Sequence, residues 1–244
     1  MRSRELLLRW TELAAFGSAL FRSHIGLITS ASNAQIYDDD RTITHFAKFT
    51  NIFSFLSDYR SVLMQEAHEK GWPLIRQMAA HFAFDENCWE LTSQFMFGAD
   101  FLIAPVLDPA GNNTFFRSQV NNNPAADERR KDTTGGNAAA PFLELGVAVV
   151  KVYIPRHTEW IHLWTGQQVV GGESGRYVNV EAPIGAPPVF YLPHSEYGAK
   201  LREFVNKYQM SNVCANSRCG ISDYSELDWY DWLGIKQFIS VSPI

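Results

Sequence analysis

Long apolar runs, paired cysteines and basic clusters are all absent from this sequence of 244 residues. No stretch approaches the ~20 consecutive apolar residues of a membrane-spanning helix, so we predict no membrane partner. Lysine and arginine are scattered and the formal net charge is -5, so the sequence offers no basic surface for a phosphate backbone. We therefore predict that nucleic acid is not a partner either.

The three cysteines, Cys88, Cys214 and Cys219, form no Cys-x-x-Cys pair and have no pair of histidines nearby. An odd number at this spacing fits neither a disulfide framework nor a zinc site. We predict no metal site and no cofactor. What the chain does have is 46% hydrophobic and 14% aromatic residues, enough to form a sizeable core.

The N-terminal region has the pattern of an amphipathic helix followed by a short apolar segment that carries two polar residues. Apolar side chains recur at nearly helical spacing from Arg4 to Phe16, and the Gly-Ser pair that follows predicts the helix end. Arg22 and His24 come next, two residues apart. Met1 lies almost at the first turn with no strand or cap before it, so we expect the chain to begin inside a larger domain.

A second helical pattern extends from about Arg41 to Lys70. Three aspartates, Asp38 to Asp40, precede it, and negative charge is favourable at a helix N-terminus. Apolar and aromatic residues follow at steps of mostly three and four, which predicts one long helix with a buried face. We interpret His45 and His68 as residues of its solvent-exposed or boundary face.

The remainder of the chain has mostly strand patterns. Pro73 to Phe84 and Phe95 to Val106 are apolar runs typical of strands, separated by a predicted turn. From Val147 onward, short apolar runs alternate with turn residues, which indicates an antiparallel β domain. A polar insertion after Asp108 interrupts the pattern. No period is evident after Phe204.

Taken in order, eight segments of the chain resemble the C-terminal part of glycoside hydrolase family 31, most of all the sulfoquinovosidase-like α-glycosidases. These segments are ELLLRWTELAAF, FRSH, GWPLIRQMAAHF, QFMFGADFLIAPV, VYIP, LWTG, VVGGE and APIGAPPVFY. Their order and spacing make the resemblance more specific than any single motif. It extends from about Arg2 to Phe204, with one interruption at the insertion.

The resemblance implies a fold of α/β plus all-β class: the C-terminal end of a (β/α)8 TIM barrel followed by an antiparallel β-sandwich. Residues 1–72 would be the barrel remnant, comprising helix 7, strand 8 and helix 8 of the barrel. Residues 73–204 would be the β-sandwich domain, with a long insertion at 108–146. Residues 205–244 are a tail for which the sequence predicts no structure.

The resemblance also implies a role for His24, which matches the family histidine that hydrogen-bonds sugar hydroxyls in the subsite of cleavage. It would lie at the C-terminal end of a barrel strand, the end where barrel enzymes bind substrate. Arg22 precedes it by two residues, so both side chains point the same way from an extended strand. We expect substrate contact for His24 and a supporting role in substrate binding for Arg22.

The family's retaining mechanism needs two carboxylates, and both are aspartates on barrel strands that come before the first residue of this chain. We therefore assign no catalytic residue here. Asp100 matches a turn residue of the family's sandwich, and we do not interpret it as a nucleophile. Trp160 and Trp164 are interpreted as sandwich core.

The expected function is that of the C-terminal portion of a retaining α-glycosidase whose substrate is a terminal α-linked carbohydrate. Either an α-glucoside or an α-sulfoquinovoside is possible by resemblance, because Ile25 stands where sulfoquinovosidase-like proteins carry a glutamate. The chain alone is expected to be inactive, and the missing N-terminal part of the barrel is its expected partner. The alternative is a non-catalytic carbohydrate-binding or interaction protein derived from this fold.

Overall fold

The computed structural model describes residues 3–19, 33–108 and 145–216, with side chains to residue 207. The helices in these ranges are α1 (Arg4–Ala15), α2 (Asp40–Phe55), α3 (Ser57–Lys70), α4 (Met78–His81) and α5 (Glu196–Asn216). The strands are β1 (Ile75–Arg76), β2 (Phe95–Phe97), β3 (Phe101–Ile103), β4 (Val147–Ile154), β5 (Glu159–His162), β6 (Gln168–Val170), β7 (Arg176–Pro183) and β8 (Val189–Tyr191).

The strands form two antiparallel sheets. Six strands pair in the order β1-β2-β3-β8-β5-β6, and β4 pairs with β7 along eight residues of each strand. All the pairings within the described ranges are antiparallel, as the short strands and frequent turns of the sequence predict. The predicted antiparallel β layer is therefore confirmed.

The larger sheet is buried on both faces. Successive side chains of a strand point to opposite faces, so Phe101 and Ile103 pack on one side while Leu102 packs on the other. The first side meets α1, α2, α3 and α5, through apolar residues that include Phe16, Phe49 and Leu201. The second side meets the β4–β7 pair. The result is three layers: helices, a six-stranded sheet and a two-stranded sheet.

The first helix agrees with the sequence pattern except at its start. α1 begins at Arg4, and the side-chain oxygen of Ser3 accepts a hydrogen bond from the amide of Leu6 at 3.1 Å. This is an N-cap, so the expectation that the helix starts without one is wrong. The second helix is capped as the aspartates predict, since the Asp39 carboxylate accepts from the amide of Thr42 at 2.9 Å.

The long helix predicted from about Arg41 to Lys70 is two helices, α2 and α3, separated at Leu56. The guanidinium of Arg60 donates a hydrogen bond to the carbonyl of Phe53 at this break. In a regular helix that carbonyl accepts the amide four residues later. The Arg60 side chain thus competes with a helical hydrogen bond where the helix is interrupted.

Two further regions differ from the sequence expectation. Pro73 to Phe84 contains only the two-residue strand β1 and the short helix α4, and its buried apolar residues Met78 and Ala79 lie on α4. The predicted turn that follows is confirmed as a single turn of 3-10 helix, Glu86–Cys88. Near the C-terminus, α5 extends to Asn216, so the region after Phe204 begins as helix.

Contacts divide the chain into Met1–Lys207 and Tyr208–Ile244, and only the helical backbone to Asn216 is described in the second unit. The insertion predicted at 108–146 lies almost entirely outside the described residues. Among the helices described, none is long and apolar enough to cross a membrane.

Replacing Trp160 by alanine tests the core between the two sheets. Trp160 is fully buried, so Trp160→Ala should lower the free energy of unfolding by about 3–5 kcal/mol through lost burial and a cavity. Trp10 is 54% exposed, and Trp10→Ala should cost less than about 1 kcal/mol. Urea unfolding of both variants measures the difference. Equal losses would contradict the buried position of Trp160.

Candidate functional site

Arg22 and His24, the two residues predicted to bind substrate, lie outside the described residues. The structure describes the chain on both sides of them, up to residue 19 and again from residue 33. The described residues on both sides form a frame that holds the two ends of this segment. The frame consists of α1, α2 and the side chains that join them.

The N-terminal ends of α1 and α2 are joined by Arg4. Its guanidinium lies 2.6 Å from the carboxylate of Asp39, and its Nε donates to the Thr42 hydroxyl at 3.3 Å. Asp39 also caps α2, and these hydrogen bonds, with the positive charge of Arg4, hold the pKa of its carboxyl below the usual range despite partial desolvation. One carboxylate thus fixes both the start of α2 and its position beside α1.

The two helices lie side by side in the same direction. Halfway along, Nε2 of His45 lies 3.2 Å from the carbonyl of Leu8. Arg4 contacts Thr42, and Leu8 contacts His45. Ala15, at the end of α1, is linked by the Arg60 side chain to the end of α2. The difference in residue number between partners on α1 and α2 therefore stays nearly constant. Such a constant offset defines parallel helices.

The C-terminal ends of α1 and α2 are joined by Arg60. Its Nε donates to the carbonyl of Gly17 at 2.9 Å, and its Nη2 donates to the carbonyl of Ala15 at 2.8 Å. Its Nη1 donates to the carbonyl of Phe53, and the guanidinium lies 3.6 Å from the centre of the Phe53 ring. Cations are favourable at helix C-termini, where carbonyls lack helical partners.

Arg60 is buried, and burial lowers the pKa of its guanidinium to about 10. The group therefore stays charged at neutral pH. Its charge is balanced by carbonyl dipoles at the ends of two helices. This arrangement fixes the point at which the chain leaves α1 toward Arg22 and His24.

A buried charged network joins α1 and α2 to the connection between β7 and β8. Arg9 donates to the carboxylate of Glu12 at 2.9 Å and to the carbonyl of Ala182 at 2.7 Å. Glu12 accepts from the amide of Gly185 at 2.6 Å, and Lys48 donates to the carbonyl of the same glycine at 2.6 Å. Both polar groups of one backbone residue are thereby held by the helix layer.

Burial dominates the electrostatics of this network. Desolvation raises the pKa of Glu12, although the adjacent Arg9 opposes the shift. Desolvation lowers the pKa of Lys48 to about 8, and its ammonium lies 4.7 Å from the centre of the Trp164 ring. Burial thus disfavours the charged form of both groups, and the contact of Glu12 with Arg9 and the charge of Glu12 near Lys48 offset only part of that cost.

His45 belongs to the same network, and the expectation that it lies on the solvent-exposed or boundary face of its helix is wrong. Only 6% of the residue is exposed, and its Nε2 lies 3.8 Å from the Glu12 carboxylate. Desolvation lowers the pKa of its imidazole to about 3, so the ring is neutral. His68 is exposed, as expected.

The structure supports the interpretation of the residues that resemble catalytic or sugar-stacking groups. Asp100 lies in the turn between β2 and β3, and its carboxylate accepts from the Ser195 hydroxyl at 2.8 Å. This is a structural contact that ties the turn to the start of α5. Trp160 and Trp164 are buried in the core, as predicted.

Metal-binding groups do not come together in the part of the chain that the structure describes, where no three histidine, cysteine or acidic side chains form a cluster. Cys88 is buried, and desolvation raises the pKa of its thiol to about 12. The side chains of Cys214 and Cys219 lie outside the described residues.

The sequence pattern did not indicate the polar residues that hold this frame: Arg9, Glu12, Lys48 and Arg60. In α1 the buried positions include Leu7, Leu8, Arg9, Thr11 and Glu12. An arginine and a glutamate three residues apart are a signal for a helical ion pair, but pairs of this kind are usually exposed. Their burial depends on the β7–β8 connection, which is distant in sequence.

Comparisons with known proteins agree with this arrangement of helices and antiparallel sheets. The model of the glycosyl hydrolase family 31 C-terminal domain matches residues 71–118. Sulfoquinovosidases of Agrobacterium fabrum and Escherichia coli are 31% and 33% identical to this chain over 81% of its length. These matches cover 24% and 23% of the two relatives.

A solved family 31 sulfoquinovosidase from E. rectale, in complex with an aza-sugar inhibitor, gives a TM-score of 0.63 at 27% identity. The match covers 85% of this chain and 25% of that one. The relatives are glycoside hydrolases, and this chain is similar to the C-terminal part of glycoside hydrolase family 31. It spans about a quarter of the length of the curated relatives it matches.

Arg60→Met tests the contact at the helix ends. Removing the guanidinium leaves three buried carbonyl contacts unmade, and we expect the free energy of unfolding to fall by about 3 kcal/mol. Amide exchange should also accelerate at Phe16 and Gly17, whose amides close the last turn of α1. The matched control is Lys70→Met, which removes an exposed cation. Unchanged exchange at both amides would contradict this role.

Buried His45 makes stability depend on pH. Its pKa is about 3 in the folded chain and near 6.5 when unfolded, so the unfolded chain binds the proton first as pH falls. Stability is therefore lost as the pH falls below about 6.5, by roughly 3 kcal/mol at pH 4. In His45→Gln this loss should be absent, whereas His68→Gln should behave like the native chain.

The measurement is chemical unfolding between pH 4 and pH 8. Glu12 has a raised pKa and contributes with the opposite sign, since it favours the folded state at low pH. It is present in all three proteins, so the difference between the native chain and His45→Gln isolates His45. Parallel pH profiles for these two proteins would show that His45 is not buried in its neutral form.

Proposed function

We propose that this chain forms the C-terminal part of a retaining α-glycosidase that hydrolyses terminal α-linked glycosides, of the α-glucoside or α-sulfoquinovoside type. The observation that carries the proposal is the 31% and 33% identity to two sulfoquinovosidases over 81% of the chain. The chain spans about a quarter of those relatives, so its activity is proposed to need residues that it does not contain.

The parallel helices support a barrel end in residues 1–72. Two neighbouring parallel helices require the chain to return from the end of the first to the start of the second. In a (β/α)8 barrel this return is a strand. The connection between α1 and α2, which contains Arg22 and His24, is long enough for one strand and two loops. Residues 73–204 are then proposed as the β-sandwich domain.

Chain lengths support a position for His24 near the helix N-termini. α1 has 12 residues and therefore a length of about 18 Å. His24 lies seven positions after Gly17, and an extended segment of that length reaches up to about 23 Å. If the return is a strand, His24 reaches the level of Arg4 and Asp39, which is the substrate side of such a barrel.

His24 is proposed to contact sugar hydroxyls, because an imidazole donates a hydrogen bond from one nitrogen and accepts at the other. Arg22 is proposed to support it from the same strand face. The proposed partner in the site is a carbohydrate, together with the remaining part of the barrel. The structural relative from E. rectale is in complex with an aza-sugar inhibitor.

Retention requires a nucleophilic carboxylate and an acid carboxyl about 5 to 5.5 Å apart, on opposite sides of the glycosidic bond. The two family aspartates that provide them are proposed to lie on strands outside this sequence. Asp100 does not replace either of them, because its carboxylate serves the turn contact with Ser195. The chain alone is therefore proposed to lack the groups that break the bond.

Hydrolysis assays on the purified 244-residue chain test this proposal. With aryl α-glucosides and aryl α-sulfoquinovosides we expect no release of the phenol above the buffer blank, since both carboxylates are proposed to lie outside this sequence. Turnover well above the blank would refute the proposed need for outside residues. The full-length E. coli sulfoquinovosidase is the positive control for the α-sulfoquinovoside.

Transcripts that extend upstream of Met1 test the same proposal independently. An uninterrupted coding stretch with barrel strands and two aspartates would support it. An in-frame stop directly before Met1 would contradict a single-chain glycosidase and favour a non-catalytic carbohydrate-binding protein.

A further inference from the structure

Phe84 and Trp89 are exposed on one short segment between α4 and β2. Their exposed fractions are 86% and 58%, whereas Trp160 and Trp164 are buried in the core. An exposed side chain of this size forgoes roughly 2 kcal/mol of burial free energy. Single exposed apolar residues are ordinary, but two aromatic rings on one anchored segment call for a physical reason.

Hydrogen bonds fix Trp89, and one of them holds its indole at the backbone just before Phe84. The indole Nε1 of Trp89 donates to the carbonyl of Ala83 at 3.0 Å, which brings the ring beside the residue that precedes Phe84. The amide of Trp89 donates to the carbonyl of Glu86 at 3.1 Å. The indole therefore has a defined orientation despite its exposure.

Buried neighbours anchor the segment to β4. The carboxylate of Asp85, directly after Phe84, accepts from the Tyr153 hydroxyl at 2.9 Å and from the amide of Arg156 at 3.0 Å. Cys88, directly before Trp89, is fully buried. Each exposed ring thus follows or precedes a residue fixed in the sandwich, so little conformational entropy is lost when a ligand binds.

We propose that Phe84 and Trp89 form a stacking platform for the pyranose rings of an α-linked oligosaccharide, a choice of ligand class that rests on the proposed function. A pyranose presents an apolar C–H face that matches an aromatic ring in size, and aromatic rings supply large contact area at fixed geometry. Glu86 and Glu90 are exposed on the same segment, and their carboxylates are acceptors for hydrogen bonds from sugar hydroxyls in this proposal.

The size and charge of this platform favour a saccharide over other partners. The exposed parts of the two rings amount to roughly 300 Å², well below the ~800 Å² per partner of a stable protein interface. Glu86 and Glu90 add negative charge, which disfavours an anionic lipid surface. A short neutral oligosaccharide satisfies both conditions.

Titration of the 244-residue chain with maltoheptaose, followed by the tryptophan indole signals in NMR spectra, tests the platform. The Trp89 signal, assigned by its loss in Trp89→Phe, should shift on titration. Trp89→Ala and Phe84→Ala should each weaken binding at least tenfold, and Trp89→Phe should retain most of it because an aromatic ring remains. The control is Trp10→Ala, which removes an exposed tryptophan from α1 and should bind like the native chain.

Other outcomes overturn the platform. Maltoheptaose binding that survives both alanine substitutions would contradict it. So would the absence of any maltoheptaose binding by the native chain. Binding to phosphatidylserine vesicles in place of the sugar would contradict it as well. Binding that disappears only in His24→Ala would overturn the platform and support the proposed function. Conversely, a chain that hydrolyses aryl α-glycosides alone, yet binds maltoheptaose through Trp89, would support the platform and refute the proposed inactivity.

Discussion

The arrangement of the helix layer depends on one buried cation, the guanidinium of Arg60. Its hydrogen bonds go to the carbonyls of Ala15, Gly17 and Phe53, so a single side chain ends α1 and marks the break between α2 and α3. The neighbouring residue on α3, Tyr59, packs against Phe97 and Phe101 of the six-stranded sheet. Because Arg60 and Tyr59 are adjacent, the positions of the helix ends and of the sheet are coupled.

The polar network around Glu12 couples the helix layer to the β7–β8 connection, as Arg60 and Tyr59 couple the helix ends to the six-stranded sheet. A buried ion pair alone is a weak source of stability, because desolvation of both charges offsets their attraction. Here each charge also contacts the backbone: Glu12 binds the amide of Gly185, and Lys48 binds its carbonyl. Gly185 has a φ of 97°, a conformation that residues with a β-carbon rarely adopt. The network therefore contacts the connection at a residue whose conformation favours glycine.

Sequence periodicity predicted the elements whose environment is uniform along their length. α1 follows its helical period and β3 its apolar run, because one face of α1 and both faces of β3 meet a continuous apolar layer. Periodicity did not predict features that depend on a contact between residues distant in sequence. His45 and His68 occupy similar sequence contexts, yet only His45 meets the β7–β8 network and is buried. The break at Leu56 likewise depends on Arg60, whose partners on α1 are distant in sequence.

The same reasoning explains why the buried tryptophans were predictable and the exposed aromatic residues were not. Trp160 lies on β5 in the core between the two sheets, in agreement with its interpretation as a sandwich core residue. Phe84 and Trp89 lie on irregular backbone, where no period determines which side faces solvent. Their exposure follows from buried neighbours, Asp85 and Cys88, that use the inward positions of the segment. When polar and small residues anchor a loop, its large apolar residues are left facing outward, and a ligand that covers them recovers the burial free energy that folding did not use.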